Sequence, residues 1–400
     1  MSGTRWRARG RPALAGTMAT CLMVALLGTA LSGCQVAAYY VDARLGSDAN
    51  PGTSPTAPWR SLAKASGVPS GARLYLHAGQ TFAGTLTVSA SDVEVTGYGT
   101  GRRPTIERGR YAGVEIRGDD VVVRGLVIRD NVAGVWTRAG AERSIVHHNL
   151  LVDNNRMSVN TRGGHGDSGA FGVLIHGDRG EFHHNVITGS DAPSYDYGRD
   201  GAAFEIYGGS RNRIYGNSVS DNQTFVELGK ASSDRESVDN ELAYNRVTGG
   251  GANMLGVVTR GSGRYGPVLG TRLRNNTIDL RGRGSQGFVC SACSPDVLVM
   301  TNNIVRASGK VGFVGGTFGG DHNLYWGGAR RFRPRPHDLV ADPGFVSDRD
   351  QHLRRGSPAR NSGATTASGA DLDGIAVPQE AAPDRGAYEF RTLSASTRPR

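Results

Sequence analysis

Four carboxylates in the middle of the chain have the spacing of a reaction centre. Glu205 lies within Phe204-Glu205-Ile206 and Glu227 within Val226-Glu227-Leu228, each acid between two apolar residues. Successive side chains of a β-strand alternate faces, so burying the apolar neighbours turns both glutamates outward. On neighbouring strands they would lie about 4.8 Å apart. Two carboxylates that close, with no cation between them, repel, and one is held protonated above its usual range. A purely structural strand has no use for that arrangement. A retaining glycosidase does, since its acid/base and its nucleophile sit roughly 5–5.5 Å apart. Asp167-Ser168-Gly169-Ala170-Phe171 and Asp200-Gly201-Ala202-Ala203-Phe204 share one spacing, which predicts Asp167 stacked on Asp200 at the turn entering the same strands. The expected catalytic pair is Glu205 and Glu227. Asp200 is then a second acid or water-positioning group, and Asp167 orients or tunes it. A pair two coils apart, at about 9–10 Å, would instead suit an inverting reaction. The competing reading pairs these acids with Arg162, Arg179, Arg199 or Lys230 as solvated turn residues. Convergence of four acids beside the two longest insertions, 155–170 and 190–200, favours a site.

The insertions are rich in Gly, Ser, Asp, Tyr and His. They supply the expected substrate-binding residues His165, Tyr197 and Arg199, joined by Trp136, Tyr207 and Lys230. Trp136, Tyr197 and Tyr207, with Tyr195, can stack on sugar rings. Extended along the chain, the outward column is expected to run through Glu115, Trp136, Gly172, Glu205, Glu227, Gly256 and Val289.

What must position these residues is a repeat. An Asn followed by aliphatic residues recurs at Asn149, Asn185, Asn217, Asn245, Asn276, Asn303 and Asn323, at intervals between 20 and 36 residues. Each unit is a set of short β-branched runs broken by Gly, Asn and Asp, with almost no helical periodicity. Such a period marks a solenoid, and this content predicts an all-β, single-stranded right-handed parallel β-helix. The Asn is expected at a sharp turn, where it tolerates a left-handed backbone and its amide bonds to the Asn of the next coil. His147, His148, His183 and His184 flank the same turns. They lack carboxylate neighbours in sequence, so stacking or solvent exposure is expected there rather than zinc.

The ends carry different signals. Arg5, Arg7, Arg9 and Arg11 precede an apolar run at 18–31, too short for a comfortable membrane span. Leu31-Ser32-Gly33-Cys34 resembles a bacterial lipobox, which implies removal of 1–33 and a lipid anchor on Cys34 at the extracytoplasmic face. Removing those four arginines lowers the formal charge from +10 to +6. Lys64, Lys230 and Lys310 are the only lysines, and the arginines are scattered rather than gathered into a nucleic-acid footprint. Cys290 and Cys293 are expected to form a disulfide, in preference to a metal half-site or redox motif. The expected organisation is a tether and cap over 34–71, the solenoid over 72–326, C-terminal coils and a closing segment over 327–390, and a disordered tail over 391–400.

Three stretches resemble known families. Tyr39-Tyr40-Val41-Asp42, Gly46-Ser47-Asp48 and Pro58-Trp59-Arg60-Ser61-Leu62-Ala63-Lys64-Ala65 resemble the opening segment of secreted β-helix proteins, with a short helix around 60–66 plugging the open end. Asp342-Pro343-Gly344-Phe345 through Gly386-Ala387-Tyr388-Glu389-Phe390 resembles their closing segment. Asp200-Gly201-Ala202-Ala203-Phe204-Glu205-Ile206-Tyr207-Gly208-Gly209 resembles a coil of calcium-dependent β-helix pectate lyases. That last resemblance implies Ca²⁺ held by Asp167, Asp200 and Glu227, with Lys230 or an arginine as base. The lyase pattern, however, has a lysine where Glu205 and Glu227 stand, and Lys230 falls three residues after Glu227. The expected function is therefore an extracytoplasmic polysaccharide-degrading glycoside hydrolase, acting as a monomer without a cofactor. A calcium-dependent lyase and a non-catalytic glycan-binding envelope lipoprotein are the alternatives.

Overall fold

The computed structural model describes residues 36–232, 235–365 and 369–391. The leader, Cys34 and the tail beyond 391 lie outside the described residues.

The chain winds through three parallel sheets. A coil passes from the first sheet (Val122–Arg124) through a tight corner, Gly125-Leu126 here and Asn-bearing in the coils from Asn149 on, to the second (Val127–Arg129). It then turns to the third (Ala133–Thr137) and returns by a longer loop to the first at Ile145–His147. The first sheet stacks ten such strands, from Ala38–Val41 to Leu298–Thr301. The second and third merge at the far end, because the strand Ile304–Gly316 continues around the corner between them.

Every sheet turns one apolar column inward. In the third sheet this column is Val114, Val135, Val173, Phe204, Val226, Val257 and Phe288, all with no solvent exposure. Val123, Val146, Phe182, Ile214, Leu242, Leu273 and Met300 form the inward column of the first, all buried. Burying one such side chain contributes about 1.5–3 kcal/mol. At the N-terminal end the helix Leu62–Ala65, capped by Ser61, adds Leu62 and Ala65 to the same core. At the other end, residues beyond 340 fold back along the solenoid. Phe345, Leu353 and Ala359 cover the outward Ile304 and Leu324, and Arg385 reaches the Asn323 carbonyl at 2.7 Å.

The asparagines form one continuous ladder. The Asn149, Asn185, Asn217, Asn245, Asn276 and Asn303 backbone N–H groups each donate to the side-chain oxygen of the next Asn, at 3.0–3.1 Å. Each Nδ2 also donates to a backbone carbonyl, for Asn217 that of Phe182 at 2.8 Å. Asp338 ends the column by accepting from the Asn323 N–H at 2.8 Å. The ladder residues are 0–1 % exposed. One expectation is corrected. The left-handed conformation falls not on the ladder Asn but on the residue before it: His148, His184, Gly216, Tyr244, Asn275, Asn302 and His322, with φ between 52° and 63°. The kink one residue earlier is what aims the amide along the stack.

The expected outward column is also corrected at two places. Leu174, not Gly172, stands beside Trp136 and Glu205, and Val258, not Gly256, stands beside Glu227. Gly172 and Gly256 face inward, where an added Cβ would meet Ala203 O at 2.6 Å and Gly287 O at 1.9 Å. Glycine there lets the coils approach closely.

Asn217→Ala orphans the Asn185 N–H and the Phe182 carbonyl. Each buried orphan costs about 1–3 kcal/mol, so urea denaturation should show a loss of about 3 kcal/mol, against a few tenths for the outward-facing Ser218→Ala.

Candidate active site

The third sheet places Glu205 directly opposite Glu227, as the alternation of its strands predicts. Both stand on the floor of a groove of about 670 Å³. The insertions build one wall. Residues Met157–Val159 pair with Ser168–Gly169, and Ala192–Ser194 with Gly198–Asp200, as two antiparallel ribbons. A loop from the opposite corner brings Tyr265 to the other side.

The acids of the outward column differ in their partners. Glu115 is paired with Arg117 at 3.0 Å and Arg138 at 2.8 Å. Glu227 is paired with Arg260, and the Tyr207 hydroxyl donates to it at 3.1 Å. Both contacts fall on Oε1, and Oε2 has no partner among the described residues. Glu205 has no ion pair among the described residues. Burial, then the charges of Glu227 and Asp200, push its pKa well above the usual carboxylate range against the weaker pull of Arg260. Burial also raises Asp200, to about 6, despite the N–H of Gly201 that stabilises its charged form. Glu227, Asp167 and Asp191 add repulsion. Two of the cations named for a solvated pairing are engaged elsewhere: Arg199 is held by Asp191 at 2.6 Å and Arg179 by Glu142 at 2.5 Å.

Asp167 is in the groove wall but not stacked on Asp200. Phe171 pairs with Ala202 rather than Phe204, a register two residues from the one the repeated spacing predicts. Asp167 ties the two ribbons together instead. It accepts from Thr161 N at 2.9 Å, Ser194 Oγ at 2.8 Å and Asp196 N at 3.1 Å, while Asp196 accepts from Asp167 N at 3.0 Å. Burial alone would raise its pKa, but these donors outweigh it and hold the carboxyl below its usual range.

Of the expected binding residues, Tyr197, Arg199 and Tyr207 line the groove. His165 is exposed at the ribbon tip beside Gly166, and Trp136 lies past the groove end, packed against Tyr111 with Arg138 over its ring at 4.0 Å. Lys230 does not line the groove; its backbone N–H binds Tyr265 O. Arg260, His176, Tyr265 and Gln223 are site residues the sequence reading missed. Trp136 Nε1 donates to His176 Nδ1 at 3.3 Å, and burial with Arg235 and Arg138 lowers the His176 pKa to about 4, so the ring is neutral. Gln223 Oε1 is buried without a partner among the described residues. Arg260 was legible only through register: it lies two residues beyond Val258, which pairs with Glu227. One coil on, its strand neighbour Ser291 lies between Cys290 and Cys293, which are disulfide-bonded.

The residues implied for calcium do not fit a cradle. Asp167 spends both oxygens on the ribbons, Arg260 occupies Glu227, and no three metal-capable groups converge in the groove among the described residues.

No family model matches the chain, and no curated protein matches it in sequence. Among solved structures it resembles pectate lyase Pel9A, with TM-score 0.51 and 15% identity over 88% of this chain and 96% of that one. The chain is a right-handed parallel β-helix. A lacto-N-biosidase from Eubacterium ramulus (TM-score 0.48, 12% identity, 76% of this chain and 67% of that one) and an endo-xylogalacturonan hydrolase from Aspergillus tubingensis (TM-score 0.41, 13% identity, 74% and 95%) are also similar. On this β-helix the groove lies along the third sheet, across its strands.

Asp167→Ala removes three anchors of the ribbons at once. Trypsin cleavage at Arg162 and Arg199 should then accelerate severalfold at neutral pH with the solenoid intact. In the wild type the same opening should appear only as pH falls through the depressed pKa of Asp167, where protonation releases its donors. Unchanged cleavage in the variant would count against this role.

Proposed function

We propose that the protein is a polysaccharide-degrading glycoside hydrolase in which Glu205 is the acid/base and Glu227 the nucleophile. The observation that carries this reading is the asymmetry of two registered glutamates: one with no ion pair among the described residues and with burial and like charge raising its pKa, the other fixed by Arg260 and Tyr207. Pairs of carboxyls with opposed environments are how acid and base roles are divided.

Protonated Glu205 gives its proton to the glycosidic oxygen as that bond breaks. Glu227 Oε2 attacks the anomeric carbon while Oε1 stays bound, giving a glycosyl-enzyme ester. Glu205, now a carboxylate, takes a proton from water, which attacks the same carbon, releases Glu227 and retains the configuration. Adjacent strands about 4.8 Å apart suit this route. Asp200 repels charge on Glu205 and so helps keep it protonated. Tyr197 and Tyr207 offer faces and hydroxyls to sugar rings, and Gln223 Oε1 accepts from a sugar hydroxyl. The fold shared with a pectate lyase and the open groove support an extended polysaccharide as substrate. The lipobox at Cys34 supports an anchored enzyme on the extracytoplasmic face, a monomer touching the membrane through its lipid only.

Incubation with a polysaccharide panel should release saccharides equally with and without chelator. Glu205→Gln should lower kcat by about 10²–10⁴-fold, and Glu227→Gln should abolish turnover. Activity should fall as pH rises through the raised pKa of Glu205, because the acid form is the active one. Chelator-sensitive release of unsaturated, ultraviolet-absorbing products would overturn the hydrolase in favour of a lyase. Binding without turnover, unchanged in Glu205→Gln, would overturn it in favour of a glycan-binding protein.

A further inference from the structure

We propose that His147, His148, His183 and His184 bind a divalent transition-metal ion of the zinc type, on the Asn-corner side of the solenoid, away from the groove. Consecutive residues of a strand normally point to opposite faces. Here the left-handed corner intervenes: His148 and His184 have φ of 54° and 52°, which swings each ring beside that of its predecessor. The two Nδ1 atoms then approach to 2.7 Å in the 147/148 pair and 2.8 Å in the 183/184 pair.

The ladder stacks one pair on the other. His147 pairs in register with His183, their rings are 4.9 Å apart, and those of His148 and His184 are 5.2 Å apart. The stacking expected from the sequence is therefore present, and it brings something more. Nitrogens of His147, His148 and His183 all lie within 4.8 Å of one another, and the His184 ring lies 5.2 Å from that of His148 and 5.1 Å from that of His183. Zinc bonds imidazole nitrogen at about 2.0–2.1 Å, in a tetrahedron, so small side-chain rotations close this array around one ion. Imidazole-only donor sets suit zinc, nickel and copper rather than calcium. The neighbours leave the site free: Arg124 below is held by Glu94 at 2.6 Å, and Tyr215 above stacks on His183 at 4.7 Å. By contrast, the other histidine cluster on this column, Asp321, His322 and His337, is already closed by a 2.7 Å contact of His337 with Asp321. An ion at His147 and His183 would join the two coils from which the ribbons of the groove wall grow.

The test is titration of the full-length protein with Zn²⁺ by calorimetry and with Co²⁺ by visible absorption. The wild type should take up an equivalent that His147→Ala/His183→Ala loses and His337→Ala retains. His148→Ala alone should weaken it about tenfold or more. Zn²⁺ should raise the melting temperature of the wild type and not of the double variant. Far-UV circular dichroism checks the fold, and His147→Gln/His183→Gln replaces the alanine pair if that pair fails to fold. Absence of Zn²⁺ uptake by the wild type, or the same stoichiometry and affinity in a folded double variant, would overturn the proposal.

Discussion

The register between successive coils is the constraint from which everything else follows. Parallel backbone pairing alone tolerates slippage, and a slip of one residue turns every side chain to the opposite face. The asparagine ladder removes that freedom. Each rung binds the next rung's oxygen and a backbone carbonyl inside a corner that water does not reach. Slipping one coil would break several buried hydrogen bonds at once, whereas the aliphatic columns beside them would accept a neighbouring apolar residue at modest cost. Packing stabilises the solenoid, and the corner amides specify it.

That division of labour is what permits the groove. Glu205 beside Glu227, with Asp200 next to them, is unfavourable where it stands, since burial and like charge both oppose ionisation. Left to local forces, the strand would turn or bind a cation, as the column does at Glu115 with two arginines. It cannot turn, because Phe204, Ile206, Val226 and Leu228 on the same strands are wholly buried. Stability gathered along the core holds the two glutamates in place, and one arginine, delivered from the next coil, gives them different surroundings.

The fold was legible because its signals are periodic. Seven asparagines and alternating apolar pairs define coils, and Glu205 opposite Glu227 follows from counting them. Where counting failed, the cause was local. Phe171 and Phe204 look equivalent, but the insertions before them differ in length and the chain enters the sheet two residues apart, so Asp167 became a ribbon clamp. Gly172 and Gly256 looked like gaps in the outward column, yet glycine is needed on the inner side. The corner's left-handed residue precedes the Asn, since the amide must point along the stack. Arg260, His176 and Gln223 carry no motif at all. Their roles arise from neighbours on other coils, which no window of sequence contains.

The two ribbons grow from the same corner, between the second and third sheets, and the ladder occupies the corner between the first and second. The ladder counts turns of the solenoid and is indifferent to how many residues a turn contains: its steps span from 20 to 36 residues with unchanged bonding. Groove wall and scaffold are therefore written in separate parts of each turn. Segments can lengthen, shorten or be exchanged at the ribbon corner while the frame beneath keeps its alignment, so such a protein can reshape its groove by editing loops without relearning how to fold.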